Sequence, residues 1–218
     1  MSDAGRENYR TITHLTRVEP DRLQVQLDDG SCCLVLRAEA ESAGWEPGVR
    51  PSPTELGAAI TAERLAAARQ QAFTYLSRRS YSRLQLSGKL ARAGFGPETA
   101  TAAVNQLVAD GYVDDAEFAL LWVQNRLARR QEGRALLVAR LRERGVSRET
   151  AHEVVDQEYP LDREREAIAR LLEQLGGSGA TSRAARASVW RRLQSRGFSF
   201  ALISSMVGSA FDVPNEED

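Results

Sequence analysis

Twenty-eight arginines and a single lysine, Lys89, supply the basic side chains of this 218-residue chain, and several recur at spacings that concentrate charge. Arg126, Arg129 and Arg130 stand at i, i+3 and i+4, the spacing of one helical face. Arg140 and Arg144 share a second face, with Arg134 just ahead of them, and Arg191, Arg192 and Arg196 form a third group. Lys89 and Arg92 sit together in "GKLARAG". A guanidinium is a planar fork that grips a carboxylate or a phosphate through two hydrogen bonds. These stripes therefore suit an acidic protein surface or, more weakly, DNA phosphate. The competing account is a solvated helix face with local ion pairs, for example to Glu143 or Glu149. The preference for arginine over lysine is itself read as genomic base composition.

Other reactive side chains are poorly placed for catalysis. Asp114 and Asp115 stand where a helix begins, so capping explains them better than metal binding or acid–base work. His14 and His152 are isolated. Cys32 and Cys33 are neighbours that a strand would point to opposite faces, so no disulfide joins them, and no CxxC spacing suggests zinc. No GxxxxGK phosphate loop occurs. Tyr112, Phe118 and Trp122 are read as core packing rather than base-stacking platforms. The expectation is a protein with no catalytic residues, no metal and no cofactor.

The chain is 42% hydrophobic and 27% charged, with a net charge of −1. That is ordinary for a soluble globular protein. Residues 61–110 carry seven basic and three acidic side chains, and residues 161–211 carry eight and four. The first sixty residues and the tail "DVPNEED" are acidic. Such asymmetry allows acidic or anionic partners at particular faces and argues against a surface that is basic throughout. The absence of a long apolar run and of a signal-peptide h-region places the protein in the cytoplasm, away from membranes.

The elements that must carry these residues announce themselves by repetition. "LARAGFGPET" (90–99), "LRERGVSRET" (141–150) and "LQSRGFSFAL" (193–202) recur at nearly constant spacing. Each has a glycine (Gly94, Gly145, Gly197) that can close a helix in the left-handed conformation. An apolar residue follows (Phe95, Val146, Phe198), then a cap for the next helix (Gly96, Ser147, Ser199). Ala100, Ala151 and Ile203 would staple against those apolar residues, and Val104, Val155 and Val207 continue the buried face. A third helix precedes each joint. The one that starts at Asp114 is expected to form a capping-box-like pair with Glu117 and to bury Phe118, Leu121 and Trp122. In a later one Ile168, Leu171, Leu172 and Leu175 mark the apolar face. Ahead of all this, "RTITHLTRVE" and "DRLQVQLDDGSCCLVLRAEA" alternate like strands around a DDG turn. "GWEPGVRPSP" reads as a connector, "GGSGATS" as a linker or long turn, and residues 1–8 as disordered.

At this point the segment "GYVDDAEFALLWVQNRL" (111–127) resembles the signature of the bacterial RecX regulatory proteins, and "LARAGFGPETATAAVNQLVADGYVDD" and "RLRERGVSRETAHEVV" resemble their flanking motifs. The likeness covers about residues 62–211, and the strand-rich start is similar to an N-terminal extension of some members. Ala135, Leu136 and Val138 stand where the family often has charged residues, while Arg134, Arg140, Arg142 and Arg144 remain. The resemblance implies a non-enzymatic protein that binds the RecA recombinase and its filament on DNA, inhibiting ATP hydrolysis and strand exchange; a monomer is expected. The alternative is a helix-turn-helix-like DNA-binding regulator. Against it, the helices after each joint open with "GPETATAAV", "SRETAHEVV" and "SFALISSMV", which are poor readers of base edges.

The expected fold is mainly α: three tandem three-helix units in an elongated array, after a small antiparallel β extension. The boundaries are 1–53 for the extension and connector, 54–110, 111–160 and 161–211 for the three units, and 212–218 for an acidic tail. Gly94, Gly145, Gly197, Tyr112, Asp114, Phe118 and Trp122 are assigned structural roles. Lys89, Arg92, Arg126, Arg129, Arg130, Arg134, Arg140, Arg144, Arg191, Arg192 and Arg196 are assigned to partner contact.

Overall fold

A computed structural model of the chain describes residues 9–174 and 183–211. Residues 1–8, Leu175, the "GGSGATS" segment and the acidic tail lie outside the described residues. The chain forms two compact units. The first holds residues up to Arg79 together with Leu86–Asp110, and the second holds Ser80–Gln85 together with the chain from Gly111 onward.

In the first unit, β1 (Ile12–Glu19), β2 (Arg22–Leu27) and β3 (Cys32–Leu36) form an antiparallel sheet in the order β1-β2-β3. The alternation resolves so that Val25 and Leu27 of β2, with Val35 of β3, point inward. Cys33 is half-buried and Cys32 exposed, and both are free thiols. The strand-like reading of "RAEA" is corrected: Arg37–Ser42 is a short helix, α1. Ala and Glu are good helix formers, and the helix lays Ala40 on the core. Three strands with one buried face need a covering layer. Ile12, Val25, Leu27 and Val35 find it in Ala40, Trp45 and Ala59, the last from α2 (Pro53–Leu76). A buried ion pair fastens the two layers: Arg22 Nε donates to Glu63 Oε1 at 2.9 Å and Arg22 Nη2 to Gln70 Oε1 at 3.2 Å. Ser52 and Glu55 form a full capping box at the start of α2. Helices α3 (Arg83–Leu90) and α4 (Pro97–Ala109) complete the first trio, joined by a π-helical turn over Ala91–Phe95.

The second unit contains α5 (Asp115–Leu127), α6 (Arg134–Glu143) and α7 (Arg148–Glu158), then α8 (Leu161–Gln174), α9 (Arg183–Ser195) and α10 (Phe200–Phe211). One core runs through both trios, including Phe118, Val123, Leu141, Val155, Ile168, Leu193 and Ile203. The repeated three-helix organisation and the small N-terminal sheet are thus as the sequence indicates. Among the described residues no helix is long and apolar enough to cross a membrane.

The joints behave as their sequences require. Gly94, Gly145 and Gly197 have φ of 99°, 88° and 82°. At the second joint Val146 N–H donates to Leu141 C=O and Gly145 N–H to Arg142 C=O. At the third, Phe198 N–H donates to Leu193 C=O and Gly197 N–H to Gln194 C=O. This is the Schellman pairing, which satisfies carbonyls left open by the helix end. Ser147 Oγ then accepts from Thr150 N–H and Ser199 Oγ from Leu202 N–H, capping α7 and α10. Val146 and Phe198 fold into the core, whereas Phe95 stays half-exposed.

The glycines at the last two joints also serve as contact points. A Cβ on Gly145 would lie 2.3 Å from the Cβ of Leu84, and one on Gly197 would lie 2.2 Å from the Cβ of Leu136. Each leucine precedes its glycine by the same number of residues. Beside these contacts, Ser82 Oγ donates to Arg144 C=O and Gly133 N–H donates to Arg196 C=O. One interlock therefore occurs twice: the start of a middle helix seats on the joint that closes the next one.

Candidate anion-binding cleft

The reading of Arg126, Arg129 and Arg130 as one helical face needs correction, because α5 ends at Leu127. Arg129 and Arg130 belong to the turn that follows, and they are exposed. Arg126, still helical, is committed inward. Its Nε and Nη2 donate to Glu132 Oε2 and Oε1 at 2.7 and 2.6 Å, and Arg140 Nη1 reaches the same carboxylate at 3.2 Å. Glu132 is buried, and a buried carboxylate is tolerated only when it is paired and hydrogen-bonded. Two guanidiniums on one carboxylate fix the α5–α6 turn and hold Arg129 and Arg130 at its outer edge.

Around that turn the second unit opens a cleft of about 1100 Å³. Arg129 and Arg130 line it with Arg140 of α6, Arg163 and Arg170 of α8, and Arg196 at the end of α9. The carboxylates in its wall are Glu132, already clamped, and Glu158, which accepts from Gln124 Nε2 at 2.9 Å. Arg163 Nη1 donates to Glu158 C=O at 3.2 Å and Arg170 Nε to Glu166 C=O at 3.3 Å. Both contacts go to backbone oxygens and leave each guanidinium its charge. Tyr159 also lines the cleft, and it is buried with no partner for its hydroxyl among the described residues. Burial first, and the Glu164 carboxylate second, push its phenol up to about 12, so the hydroxyl stays a proton donor. Glu164 is itself pushed above the usual carboxylate range by burial, against the opposing pull of the Arg134 N–H and charge.

The other arginines have local work. Arg134 pairs with Asp156 through its guanidinium, and its N–H donates to Glu164 Oε1 at 2.9 Å. Arg144 Nη1 donates to Arg140 C=O at 2.6 Å, and its guanidinium lies 4.7 Å from the ring centre of Trp122. That stacking is a cation–π contact and gives half-buried Trp122 its place. Arg191 Nε donates to Ala187 C=O at 3.3 Å, and Arg191 and Arg192 are exposed on α9, outside the cleft wall. In the first unit the Lys89 ammonium stands 4.4 Å from the ring centre of Tyr75, and Arg92 is exposed in the π-helical turn.

The structure thus gathers Arg129, Arg130, Arg140 and Arg196 and adds Arg163 and Arg170, which are not among the residues assigned to partner contact from sequence. A signal existed. Arg163, Ala167 and Arg170 fall at i, i+4 and i+7, one stripe of α8, beside the stronger apolar pattern of Ile168, Leu171 and Leu172.

The structural assignments divide similarly. Phe118 is buried, but Leu121 is 39% exposed, so the inward face of α5 is Phe118, Ala119 and Val123 rather than Phe118, Leu121 and Trp122. Tyr112 is corrected too: it is 59% exposed, because the turn at Gly111 sends Val113 into the core instead. Asp114 caps α5 by accepting from Ala116 N–H at 2.7 Å, instead of closing a box with Glu117. Its neighbour Asp115 accepts from Arg83 N–H at 2.8 Å and so caps the start of α3. The two aspartates of the signature therefore serve two helices. His14 and His152 are exposed. Among the described residues no group of three His, Cys, Asp or Glu could hold a metal ion.

Residues 68–107 match the family description "RecX, first three-helix domain", and residues 114–155 match "RecX, second three-helix domain". The "Regulatory protein RecX" of Chromohalobacter salexigens is 35% identical over 144 residues, which covers 66% of this chain and 93% of that protein. That of Treponema pallidum is 33% identical over 156 residues, 72% and 93% of the two chains. That of Thermobifida fusca is 32% identical over 170 residues, 74% and 92%. A crystal structure of regulatory protein RecX superposes with a TM-score of 0.71 over 92% of this chain and 99% of its own, at 19% identity. The crystal structure of RecX from Lactobacillus salivarius gives 0.62 over 69% and 98%, at 20% identity. At such identities the two structures speak for the fold alone.

Proposed function

The chain belongs to the RecX family of regulatory proteins, and from that premise we propose that it binds the RecA recombinase filament on DNA and slows its ATP hydrolysis and strand exchange. It acts as a cytoplasmic monomer without chemistry of its own, limiting filament growth or promoting disassembly. The observation that carries this reading is the six-arginine cleft, of which Arg129, Arg130 and Arg140 lie within the stretch that matches the family's second three-helix domain. A filament of recombinase and DNA offers carboxylates and phosphates, the two groups that a guanidinium fork grips best.

The helix-turn-helix alternative draws no support from the geometry. Helix α4 begins with Glu98 in its first turn, and in α7 Glu149 offsets Arg148, so neither end that would meet DNA carries net positive charge. The test is RecA's DNA-dependent ATP hydrolysis with and without the protein. Hydrolysis is expected to fall at substoichiometric amounts. Unchanged hydrolysis at a molar excess over RecA overturns the reading.

A further inference from the structure

The same cleft admits two kinds of anionic partner, and its wall favours one. Protein interfaces draw their affinity from a desolvated apolar and aromatic centre. This wall offers no exposed aromatic ring among the described residues, since Tyr159, its one aromatic, is buried. What it offers is charge in excess: Arg129, Arg130, Arg163, Arg170 and Arg196 face a single carboxylate, Glu158, that is not already clamped. None of these five takes a carboxylate partner among the described residues. They come from the α5–α6 turn, from α8 and from the end of α9, so the charge surrounds a volume instead of lying along one helix. The chain as a whole is not basic, its net charge being −1, yet the cleft wall gathers six of its 29 basic side chains, so attraction is concentrated there.

We propose that the cleft is a sequence-independent seat for the sugar–phosphate backbone of a nucleic-acid strand, with the guanidinium forks on successive phosphates. This rests on the reading of the protein as a regulator of a filament on DNA, and it assigns the cleft to the DNA rather than to the recombinase. With no ring free to stack on, the bases stay outside the grip and are not distinguished. Glu132 keeps Arg140 and the turn in place without competing for the ligand, because both of its oxygens are occupied.

The test uses the full chain and a fluorescein-labelled oligothymidylate, followed by anisotropy over a salt series. If three or four phosphates are gripped, log K falls with log salt at a slope of about −2 to −3 for a single strand, so binding weakens roughly 15- to 60-fold between about 50 and 200 mM salt. Two double variants, Arg163→Gln with Arg170→Gln and Arg129→Gln with Arg130→Gln, are each expected to weaken binding at least about tenfold and to flatten the slope by about 1.4. The control Arg17→Gln with Arg37→Gln, in the sheet and α1, is expected to bind like wild type. Circular dichroism melting checks the variants, and should they fail to fold, the wild-type slope decides alone. No binding, a flat slope, cleft variants that bind normally, or displacement of the oligonucleotide by polyglutamate at equal charge each overturn the proposal, the last by pointing to an acidic protein surface. RecA hydrolysis measured on the same samples separates the two ideas. Wild-type protein that suppresses hydrolysis yet ignores the oligonucleotide sinks the nucleic-acid seat and leaves the regulator standing. Protein that binds the oligonucleotide through the cleft but leaves hydrolysis unchanged does the reverse.

Discussion

At the scale of single residues, the three joint glycines look alike in sequence and differ in what they must do. All three have positive φ, a conformation that costs a residue with a Cβ about 1–2 kcal/mol. At Gly94 a Cβ would meet open space among the described residues. At Gly145 and Gly197 it would press on the Cβ of Leu84 and of Leu136, backbone-anchored atoms that cannot swing away. Overpacking of that kind adds about 1–3 kcal/mol. Thermal melts of Gly94→Ala, Gly145→Ala and Gly197→Ala should therefore rank the first as mild and the other two as severe. Equal losses at all three would show that φ alone matters and that the interlock is slack. The same contact gives Leu136 its place. Its Cβ packs against Gly197, a place where a charge would have to be desolvated. That the glycines close helices was legible from local pattern. That two of them are also contact points was not, because each partner leucine lies far away in sequence.

At the scale of elements, two helices in this chain are capped by side chains from other helices. Asp115 of α5 caps α3 through Arg83 N–H, and Glu164 of α8 caps α6 through Arg134 N–H. The second cap is deeply buried, and burial raises the Glu164 carboxyl. A carboxyl with a raised folded-state value gives its full stability below the ordinary value near 4.5 and loses it as pH climbs through the raised value. Glu164→Gln keeps an oxygen for the Arg134 N–H and removes the charge. Its melting temperature is expected to exceed wild type at pH 7, with the gap closing as the pH is lowered toward 4.5. A variant that melts lower than wild type at pH 7 would mean that the charge is worth more to α6 than its desolvation costs. Glu164→Ala, which leaves the N–H without a partner, is expected to cost about 1 kcal/mol. Helical periodicity located the elements and the joints, since it depends on neighbours within a turn or two. The capping box at Ser52 and Glu55 and the helical state of Arg37–Ser42 are findings of the structure, the latter masked in the sequence by the run of five strand residues that leads straight into it.

At the scale of the whole molecule, the compact units do not follow the repeat boundaries. Ser80–Gln85 opens the middle helix of the first trio but belongs to the second unit, where Ser82, Arg83 and Leu84 meet Arg144, Asp115 and Gly145. A fragment spanning residues 80–218 should therefore melt several degrees above one spanning 111–218, and equal melting temperatures would show the docked segment to be passive. Repetition, the three helices of each unit, joint chemistry and the presence of a leading sheet were determined by the sequence alone, because glycine conformation, capping and hydrophobic period act over a few bonds. The choice among eleven candidate cations was made only by tertiary structure. An arginine is available to a ligand or spent on a neighbour according to which carboxylate the fold brings beside it, and Glu132 and Asp156 reach Arg140 and Arg134 from across a turn and from another helix. Coulomb attraction follows distance in space, and distance along the chain does not report it.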